Sequence, residues 1–314
     1  LDPISTSKIE DLAAELEEIR GNENEIYDRF CKDIAFGTSG MREKMGAGSN
    51  RINSVTLRKA SMGIGRYLRE VHEQPALVIA YDTRINSREY AAGVAEVFAK
   101  EGIEVFLFDE PTPVPVLSFA VREMGLCCGI MITASHNPKQ WNALKLLNEK
   151  GEFLNDEEGK GVLAIAEAED FCFAEVDMLG HISQKDYLPY HIQNVLGLKL
   201  VDKQAIEAKN FTVAIDCVNS VGGIAIPAIL RALGVKNIIE LNCTPNGQFP
   251  HNPEPLPQHL TEISDLLRSG KADVGFVVDP DVDRLAIVCE NGDMFGEEYT
   301  LVSVADYVLS HTPG

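Results

Sequence analysis

The feature that most constrains the fold is the alternation of short apolar runs with longer segments of helical periodicity. Apolar runs at 76–81, 104–108 and 128–133 are separated by helical patterns such as 87–100. Strands that are joined by helices run parallel, and the helices cover the two faces of their sheet. The sequence therefore predicts an α/β fold with two three-layer αβα domains, each built on a mixed, mostly parallel sheet.

The length and an acidic stretch indicate how the chain divides into domains. A chain of 314 residues is long enough for about two or three domains. The segment 167–177 is rich in acidic residues and has no clear periodicity, as expected of a boundary region. We predict a first domain at 1–183, a second at 184–293, and the start of a third at 294–314.

Composition and charge exclude some classes of protein. Hydrophobic residues make up 45% of the chain and charged residues 24%, as in globular proteins with a core. The net charge is −20 and no run is rich in lysine or arginine, which argues against a nucleic-acid partner. The sequence shows neither an apolar run of membrane-spanning length nor a signal peptide, so we expect no membrane partner and a cytoplasmic location.

The cysteines give no sign of a disulfide framework. There are seven of them and no C-x-x-C pair. Cys128, Cys217 and Cys289 lie in apolar, strand-like runs. The pattern predicts small buried hydrophobic side chains in a reducing compartment.

A serine follows one of the predicted strands. The apolar run 128–133 ends just before Ser135, and Asn137-Pro138 then forces a turn. Ser135 is therefore predicted on a loop at the carboxyl end of a strand, where open α/β sheets bind their ligands. Taken alone, this stretch is better interpreted as an ordinary turn.

A loop of carboxylates follows another predicted strand. After the apolar run 274–278 come Asp279, Asp281 and Asp283 at alternate positions, and then Arg284. Like charges this close repel one another, and a hard divalent cation such as Mg²⁺ would offset the repulsion. A serine nucleophile together with a magnesium loop indicates phosphoryl transfer.

The same loop has the carboxylate spacing of a calcium-binding EF-hand, with Glu290 at the twelfth position. The sixth position of an EF-hand is glycine, whereas here it is Arg284. The flanking segments also have strand patterns rather than helical ones. We therefore reject the EF-hand interpretation.

Three motifs in order resemble those of the α-D-phosphohexomutase superfamily, which includes phosphoglucomutase, phosphomannomutase and phosphoglucosamine mutase. They are F-G-T-S-G-M-R at 36–42, T-A-S-H-N-P at 133–138 and D-P-D-V-D-R at 279–284. The resemblance implies an isomerase of carbohydrate metabolism that interconverts hexose 1-phosphates and 6-phosphates through a phosphoserine and a bisphosphate. It implies that Ser135 carries the phosphoryl group and that one Mg²⁺ per chain is held by Ser135 and the three aspartates, with a hexose 1,6-bisphosphate as activator.

The resemblance also implies roles for side chains around the serine. Arg42 and Lys145 are expected to act in catalysis, with His136 as an acid–base or orienting group. Arg284 and the hydroxyls of Thr38 and Ser39 are expected to bind phosphate, and Gly37 and Gly40 to let the backbone approach an anion. The family usually has glycine where this chain has Ala143, which leaves the turn before Lys145 less defined.

Members of this superfamily have four domains, and the third and fourth hold the sugar and the non-reacting phosphate. The chain resembles the first two, so we expect it to be inactive as it stands, with phosphoglucomutase or phosphomannomutase as the parent activity. Phosphoglucosamine mutase, phosphopentomutase and a non-catalytic module that binds phosphosugar or metal are the alternatives.

Residues 36–135 resemble the phosphoglucomutase and phosphopentomutase branch, whereas the chain from Lys139 resembles bacterial phosphoglucosamine mutases and phosphomannomutases. A chimera of two family branches and a single unusual branch both fit this pattern. The sequence assigns neither the sugar of the substrate nor the oligomeric state.

Overall fold

The computed structural model describes residues 11–37, 40–155, 159–160, 162 and 180–312. They form two compact units. The first unit contains the described residues up to 111, with 117–134 and 139–186, and the second contains 112–116, 135–138 and the chain from 187. The two units therefore cannot be divided at one position in the sequence, and the domain boundaries at 183 and 293 stay a prediction.

The first unit alternates strands and helices as the sequence predicts. Its helices, of which α5 begins in the stretch 112–116, are α1 (Leu12–Glu18), α2 (Glu23–Phe30), α3 (Ser54–Val71), α4 (Ser87–Lys100) and α5 (Val114–Glu123). Its strands are β1 (Phe36–Gly37), β2 (Gly40–Lys44), β3 (Ala76–Tyr81), β4 (Glu104–Phe108), β5 (Cys128–Ile132), β6 (Trp141–Leu147) and β7 (Ile182–Lys185).

The sheet of the first unit has a parallel half and an antiparallel half. Its strand order is β1-β2-β6-β5-β3-β4-β7. Strands β5, β3, β4 and β7 pair in parallel, whereas β6, β2 and β1 pair antiparallel. The structure confirms a mixed sheet, and the antiparallel half places the segment 40–44 next to the strand that carries Lys145.

Alternation along β5 shows how helices cover both faces of this sheet. Cys128, Ile130 and Ile132 join a core cluster with side chains of α3 and α4. Gly129 points the other way, where an added Cβ would lie 2.6 Å from Val121 of α5. Successive strand residues face opposite sides. The result is a three-layer arrangement in which β5 is buried on both faces.

The second unit repeats the design on a smaller sheet. Its helices from residue 187 onward are α6 (Leu188–Leu196), α7 (Lys203–Lys209), α8 (Gly222–Ala232), α9 (Thr261–Arg268) and α10 (Glu297–His311). Its strands are β8 (Thr212–Asp216), β9 (Asn237–Leu241), β10 (Val274–Val278) and β11 (Leu285–Val288), in the order β11-β10-β8-β9. Only β11 runs antiparallel among the described strands of this sheet.

The core of the second unit also lies on both faces of its sheet. Val213 and Ile215 of β8 pack with Leu230 of α8. Ala214, between them, packs on the opposite face with Ile263 and Leu267 of α9. The carboxyl ends of β8 and β10 therefore emerge from a sheet that is covered on both faces. Asp216 is the last residue of β8, and β10 leads into the loop of three aspartates.

Several elements differ from the sequence prediction. The apolar pattern after Lys145 predicts a strand at 145–147 that this lysine opens, but β6 begins at Trp141, so Lys145 lies in its interior. Strands β2 and β7 were not predicted, because the first lies inside a glycine-containing motif and the second follows an acidic stretch. The helix predicted at 156–168 falls largely outside the described residues. No helix in the described part of the chain is long and apolar enough to cross a membrane.

Candidate functional site

The serine loop and the aspartate loop meet inside the second unit. Ser135 Oγ donates a hydrogen bond of 2.8 Å to Asp279 Oδ2, although the two residues are 144 positions apart in sequence. Both residues are buried, with Ser135 4% and Asp279 0% exposed. The structure thus brings together the two motifs that the sequence analysis identified separately.

The backbone at both loops adopts a conformation that side chains disfavour. Ser135 has φ +51° and Val282, between Asp281 and Asp283, has φ +61°. Left-handed backbone is unusual outside glycine, above all for a β-branched residue such as valine, and such strain often accompanies functional sites. The hydrogen bond from Val282 N to Asp279 O at 3.1 Å closes the turn that holds Val282 in this state.

The aspartate loop is fixed by hydrogen bonds to its own backbone and to neighbouring segments. Asp279 Oδ1 accepts from the backbone amides of Asp283 at 3.2 Å and Arg284 at 3.1 Å. Ser220 Oγ donates to the carbonyl of Pro280 at 2.7 Å. Val114 N donates to the carbonyl of Asp281 at 3.0 Å. The loop is therefore held in place before any ligand binds.

The three aspartates form a cluster that fits a divalent cation. Carboxylate oxygens from Asp279, Asp281 and Asp283 all lie within 4.8 Å of one another. Asp279 and Asp281 are fully buried, whereas Asp283 is exposed. An all-oxygen set of this kind suits Mg²⁺, which binds few protein carboxylates and keeps other positions for water or phosphate.

Electrostatics in this cluster are unfavourable without a cation. Burial, followed by the charges of Asp281 and Asp283, raises the pKa of Asp279 well above its usual range, although the Ser135 hydroxyl acts in the opposite direction. Two buried carboxylates this close cannot both be ionised at low cost. The arrangement is what a cation site requires and what a purely structural loop avoids.

The structure supports the rejection of the EF-hand. The segments that flank the aspartates are strands β10 and β11, which pair antiparallel from Val278 opposite Leu285 to Gly275 opposite Val288. An EF-hand loop joins two helices. The carboxylate spacing is therefore that of a turn between two strands.

His136 and Arg284 lie in the same unit. His136 Nδ1 lies 3.4 Å from Ser135 Oγ, at the long end of hydrogen-bond distances. Arg284 Nη1 lies 3.6 Å from Glu254 Oε1, and both side chains are part-exposed. The histidine is thus next to the candidate nucleophile, and the arginine emerges from the aspartate loop.

Arg42 and Lys145 lie in the first unit on neighbouring strands. Arg42 on β2 is exposed and pairs with Ala143 of β6. Lys145 is 4% exposed, pairs with Met131 of β5, and has its Nζ 5.4 Å from the centre of the Phe153 ring. Thr38 and Ser39 lie outside the described residues. The sheet order thus places Lys145 on the strand beside β5, which leads to the serine, and Arg42 one strand further out.

Gly40 has a structural role that the sequence analysis did not recognise. Its φ is +102°, and an added Cβ would lie 1.8 Å from the carbonyl oxygen of Leu144. Any side chain here would therefore block the pairing of β2 with β6. From the sequence we predicted that Gly40 lets the backbone approach an anion. The requirement that the structure shows is the close pairing of β2 with β6.

A buried polar network next to the serine loop also escaped the sequence analysis. Asp82, at the end of β3, accepts hydrogen bonds from Arg84 Nε at 3.0 Å, Ser87 Oγ at 2.8 Å and Thr133 Oγ1 at 2.7 Å. Asn142 Nδ2 adds a bond to Ser87 Oγ at 3.0 Å. The network fixes the residue two positions before Ser135. The sequence alone predicts a salt bridge of Arg84 with either Asp82 or Glu89; the structure pairs it with Asp82, and both side chains are fully buried.

A serine hydroxyl hydrogen-bonded to a three-carboxylate cluster, at strand ends of an α/β fold, is an arrangement suited to metal-assisted phosphoryl transfer. Comparison with known protein families identifies the family to which the chain belongs. Family models described as phosphoglucomutase/phosphomannomutase, alpha/beta/alpha domain I and domain II, match residues 33–172 and 189–292. The chain belongs to the α-D-phosphohexomutase superfamily and contains its first two domains.

Individual proteins of similar sequence carry the same family names. The chain is 31% identical over 281 residues to a phosphoglucomutase/phosphomannomutase of Thermococcus kodakarensis, covering 89% of this chain and 60% of the relative. It is 32% identical over 280 residues to a phosphoglucomutase of Staphylococcus aureus, covering 84% of this chain and 49% of the relative. The chain therefore spans about half to three fifths of the length of these relatives.

Solved structures support the fold. A putative phosphomannomutase from Thermus thermophilus superimposes with a TM-score of 0.79 at 26% identity, covering 89% of this chain and 62% of the other. A phosphoglucomutase/phosphomannomutase family protein from Burkholderia thailandensis gives 0.76 at 25% identity, covering 90% and 59%. The α/β fold with mixed sheets is thus that of the phosphohexomutases.

Proposed function

We propose that this chain supplies the phosphoryl-carrying serine and the magnesium site of a phosphohexomutase that interconverts hexose 1-phosphates and 6-phosphates. The observation that carries the proposal is the hydrogen bond between Ser135 Oγ and Asp279 Oδ2. It puts the candidate nucleophile within reach of the carboxylate cluster. The names of the relatives, phosphoglucomutase and phosphomannomutase, support the same reaction class.

In this proposal Ser135 carries a phosphoryl group, gives it to a hexose phosphate, and takes back the other phosphate of the resulting bisphosphate. Its left-handed backbone holds the hydroxyl over the cluster. His136, whose Nδ1 lies 3.4 Å from the hydroxyl, accepts or returns the proton in this scheme. The buried network around Asp82 keeps the preceding strand end in register.

Asp279, Asp281 and Asp283 would hold one Mg²⁺ per chain. When bound, the cation supplies positive charge that offsets the charge of the transferring phosphoryl group. The remaining positive charge at the substrate is assigned to Arg42, Lys145 and Arg284, with the hydroxyls of Thr38 and Ser39, by resemblance to the family. A hexose 1,6-bisphosphate would be the activator that first loads the serine.

The proposal is tested by loading the serine directly. The chain is incubated with Mg²⁺ and glucose 1,6-bisphosphate, and phosphorylation is followed by intact mass and site mapping. We expect one phosphoryl group, on Ser135, in the parent chain and in a Ser269→Ala control, whose hydroxyl lies on the surface of the same unit. Ser135→Ala is expected to take up none. Phosphorylation at another residue, or none in a chain shown to bind both ligands, would refute the proposal.

A further inference from the structure

Two thiols occupy neighbouring positions at the strand ends of the second unit. Cys217 follows β8 directly and is fully buried, and Cys243 stands two residues after β9 and is half-buried. Strands β8 and β9 are parallel partners, with Asp216 opposite Leu241. Both cysteines belong to one apolar cluster, in which Cys243 Sγ donates a hydrogen bond to the Leu241 carbonyl at 3.1 Å.

The backbone between the two thiols is already tied together. The ladder continues beyond the strands, with Cys217 N donating to Leu241 O at 3.3 Å and Asn219 N to Asn242 O at 2.6 Å. Neighbouring strands lie about 4.8 Å apart, and a disulfide spans Cα atoms about 4.4–6.8 Å apart. Because Asp216 lies opposite Leu241, Cys217 lies beside Asn242 and is a diagonal neighbour of Cys243, a placement compatible with a disulfide.

Side-chain bonds and glycines fix the same region. Asn219 links the two loops, since its Oδ1 accepts from Thr244 N at 3.2 Å and its Nδ2 donates to Gln248 O at 3.0 Å. An added Cβ would meet Cys217 Sγ at 3.2 Å from Gly222, and Cys243 O at 2.1 Å from Gly223. The first turn of α8 thus packs closely against both cysteines.

We propose that Cys217 and Cys243 are a redox-sensitive thiol pair that closes to a disulfide when a hydroperoxide oxidises Cys243. The half-buried sulfur of Cys243 attacks the peroxide oxygen, which forms a sulfenic acid and releases water or an alcohol. The Cys217 sulfur then attacks the sulfenic sulfur, and hydroxide leaves with the Cys217 proton as water. Two thiols lose two electrons and the hydroperoxide gains two.

The two sulfurs have unequal parts in this sequence. The neighbouring Cys243 side chain, together with burial, raises the pKa of the Cys217 thiol far above its ordinary value. Cys217 is fully buried and Cys243 is only half-buried, so a hydroperoxide reaches the Cys243 sulfur first. Because a thiol is a weaker nucleophile than a thiolate, closure is slower than the first oxidation. We expect the sulfenic acid of Cys243 to accumulate before the crosslink.

The thiol pair is connected to the aspartate loop. The turn that follows Cys217 carries Ser220, whose hydroxyl donates to Pro280 O at 2.7 Å. Gly222 in the same turn faces Val278, where an added Cβ would come within 2.6 Å of a methyl group. Because these contacts are so close, even a small shift of the Cys217 turn on crosslinking would change them. The disulfide is therefore expected to weaken Mg²⁺ binding, a consequence that rests on the proposed function.

The crosslink is tested on the whole chain treated with hydrogen peroxide. Trypsin releases Cys217 in the peptide 210–231 and Cys243 in 237–268, each with a single cysteine, so their disulfide has a unique mass. We expect this species in the parent and in a Cys289→Ser control, and its loss in Cys243→Ser. Cys217→Ala should instead retain a dimedone-reactive sulfenic acid at Cys243. Crosslinks between other cysteines, or oxidation of Cys243 to sulfinic acid without a crosslink, would overturn the proposal.

The coupling is tested by titrating Mg²⁺ into the reduced and the crosslinked chain by calorimetry. We expect the crosslinked chain to bind about tenfold more weakly, and reduction with dithiothreitol to restore the affinity. Equal affinities would overturn the coupling. A reduced chain that does not bind Mg²⁺ at all would contradict the proposed function instead, while peptide mapping would still decide the thiol pair.

Discussion

Replacing Asp279 by asparagine should stabilise the chain in the absence of metal while removing its response to Mg²⁺. Asparagine keeps the shape of the side chain and an oxygen to accept from the amides of Asp283 and Arg284. It removes one of two fully buried charges in the cluster. The change therefore relieves the repulsion that a cation would otherwise offset.

The magnitude follows from the separation of the carboxylates. Two unit charges 4.8 Å apart, the largest distance in the cluster, repel by about 3 kcal/mol at an effective dielectric constant of about 20. Partial protonation of Asp279, whose pKa is raised by burial and by Asp281, already relieves part of this. We expect Asp279→Asn to raise the free energy of unfolding by about 1–3 kcal/mol, or about 2–4 °C in Tm per kcal/mol.

The sign of the pH dependence is fixed by the raised pKa of Asp279. A carboxyl that titrates higher when folded than when unfolded costs stability as pH rises above its unfolded value, and the full cost is reached above its folded value. In EDTA, the gain from Asp279→Asn should therefore grow with increasing pH. Saturating Mg²⁺ at about 100 times its Kd should stabilise the parent by about 2.7 kcal/mol and the variant far less.

The assay is thermal unfolding by circular dichroism in EDTA and in Mg²⁺, across pH, with Asp293→Asn as a matched control. Asp293 is an exposed carboxylate of the same unit outside the cluster, and its replacement should change neither stability nor the Mg²⁺ response. A less stable Asp279→Asn chain in EDTA, or an unchanged Mg²⁺ response, would refute the account of this cluster as a cation site.

Other substitutions test the packing around the site. Asp82→Ala should lower the free energy of unfolding by about 3–5 kcal/mol in urea denaturation, because it removes the carboxylate that neutralises the buried Arg84; a loss below about 1 kcal/mol would contradict the network. Gly223→Ala should be strongly destabilising, since its Cβ would lie 2.1 Å from the Cys243 carbonyl, and a normal Tm would contradict that geometry. Gly93→Ala, inside α4 with only Arg58 at 3.8 Å, should be neutral or stabilising by up to about 1 kcal/mol.

The sequence predicted those parts of the fold in which local pattern and tertiary environment agree. Strands β3, β4 and β10 begin and end where their apolar runs do, because each is buried and bounded by turn residues. Strand β2 was missed because Gly40-Met41-Arg42 has the composition of a loop. Its strand character comes from pairing with β6, a contact between segments about a hundred residues apart in sequence that no local pattern contains.

The candidate site was predictable in its chemistry but not in its surroundings. Three aspartates at alternate positions repel one another in any fold, so a cation was inferred before the structure. The network that fixes Thr133 could not be inferred in the same way, because Asp82 and Ser87 resemble ordinary turn and helix-start residues. A signal was present in Asp82-Thr83-Arg84 directly after a buried strand, where a carboxylate and a guanidinium are well placed to neutralise each other.

Because the two units are interleaved in sequence, truncating the chain or recombining it with a relative at a single position separates residues that pack together. Residues 112–116 and 135–138 are flanked on both sides by the first unit but pack with the second. A protein ending after Asp186 would retain both loops and lose the residues they pack against, including the Asp279 partner of Ser135. Recombination between relatives would have to exchange the two loops together with the chain from 187. Ser135 would therefore have to be exchanged together with the second unit, although the strand that leads to it belongs to the sheet of the first unit.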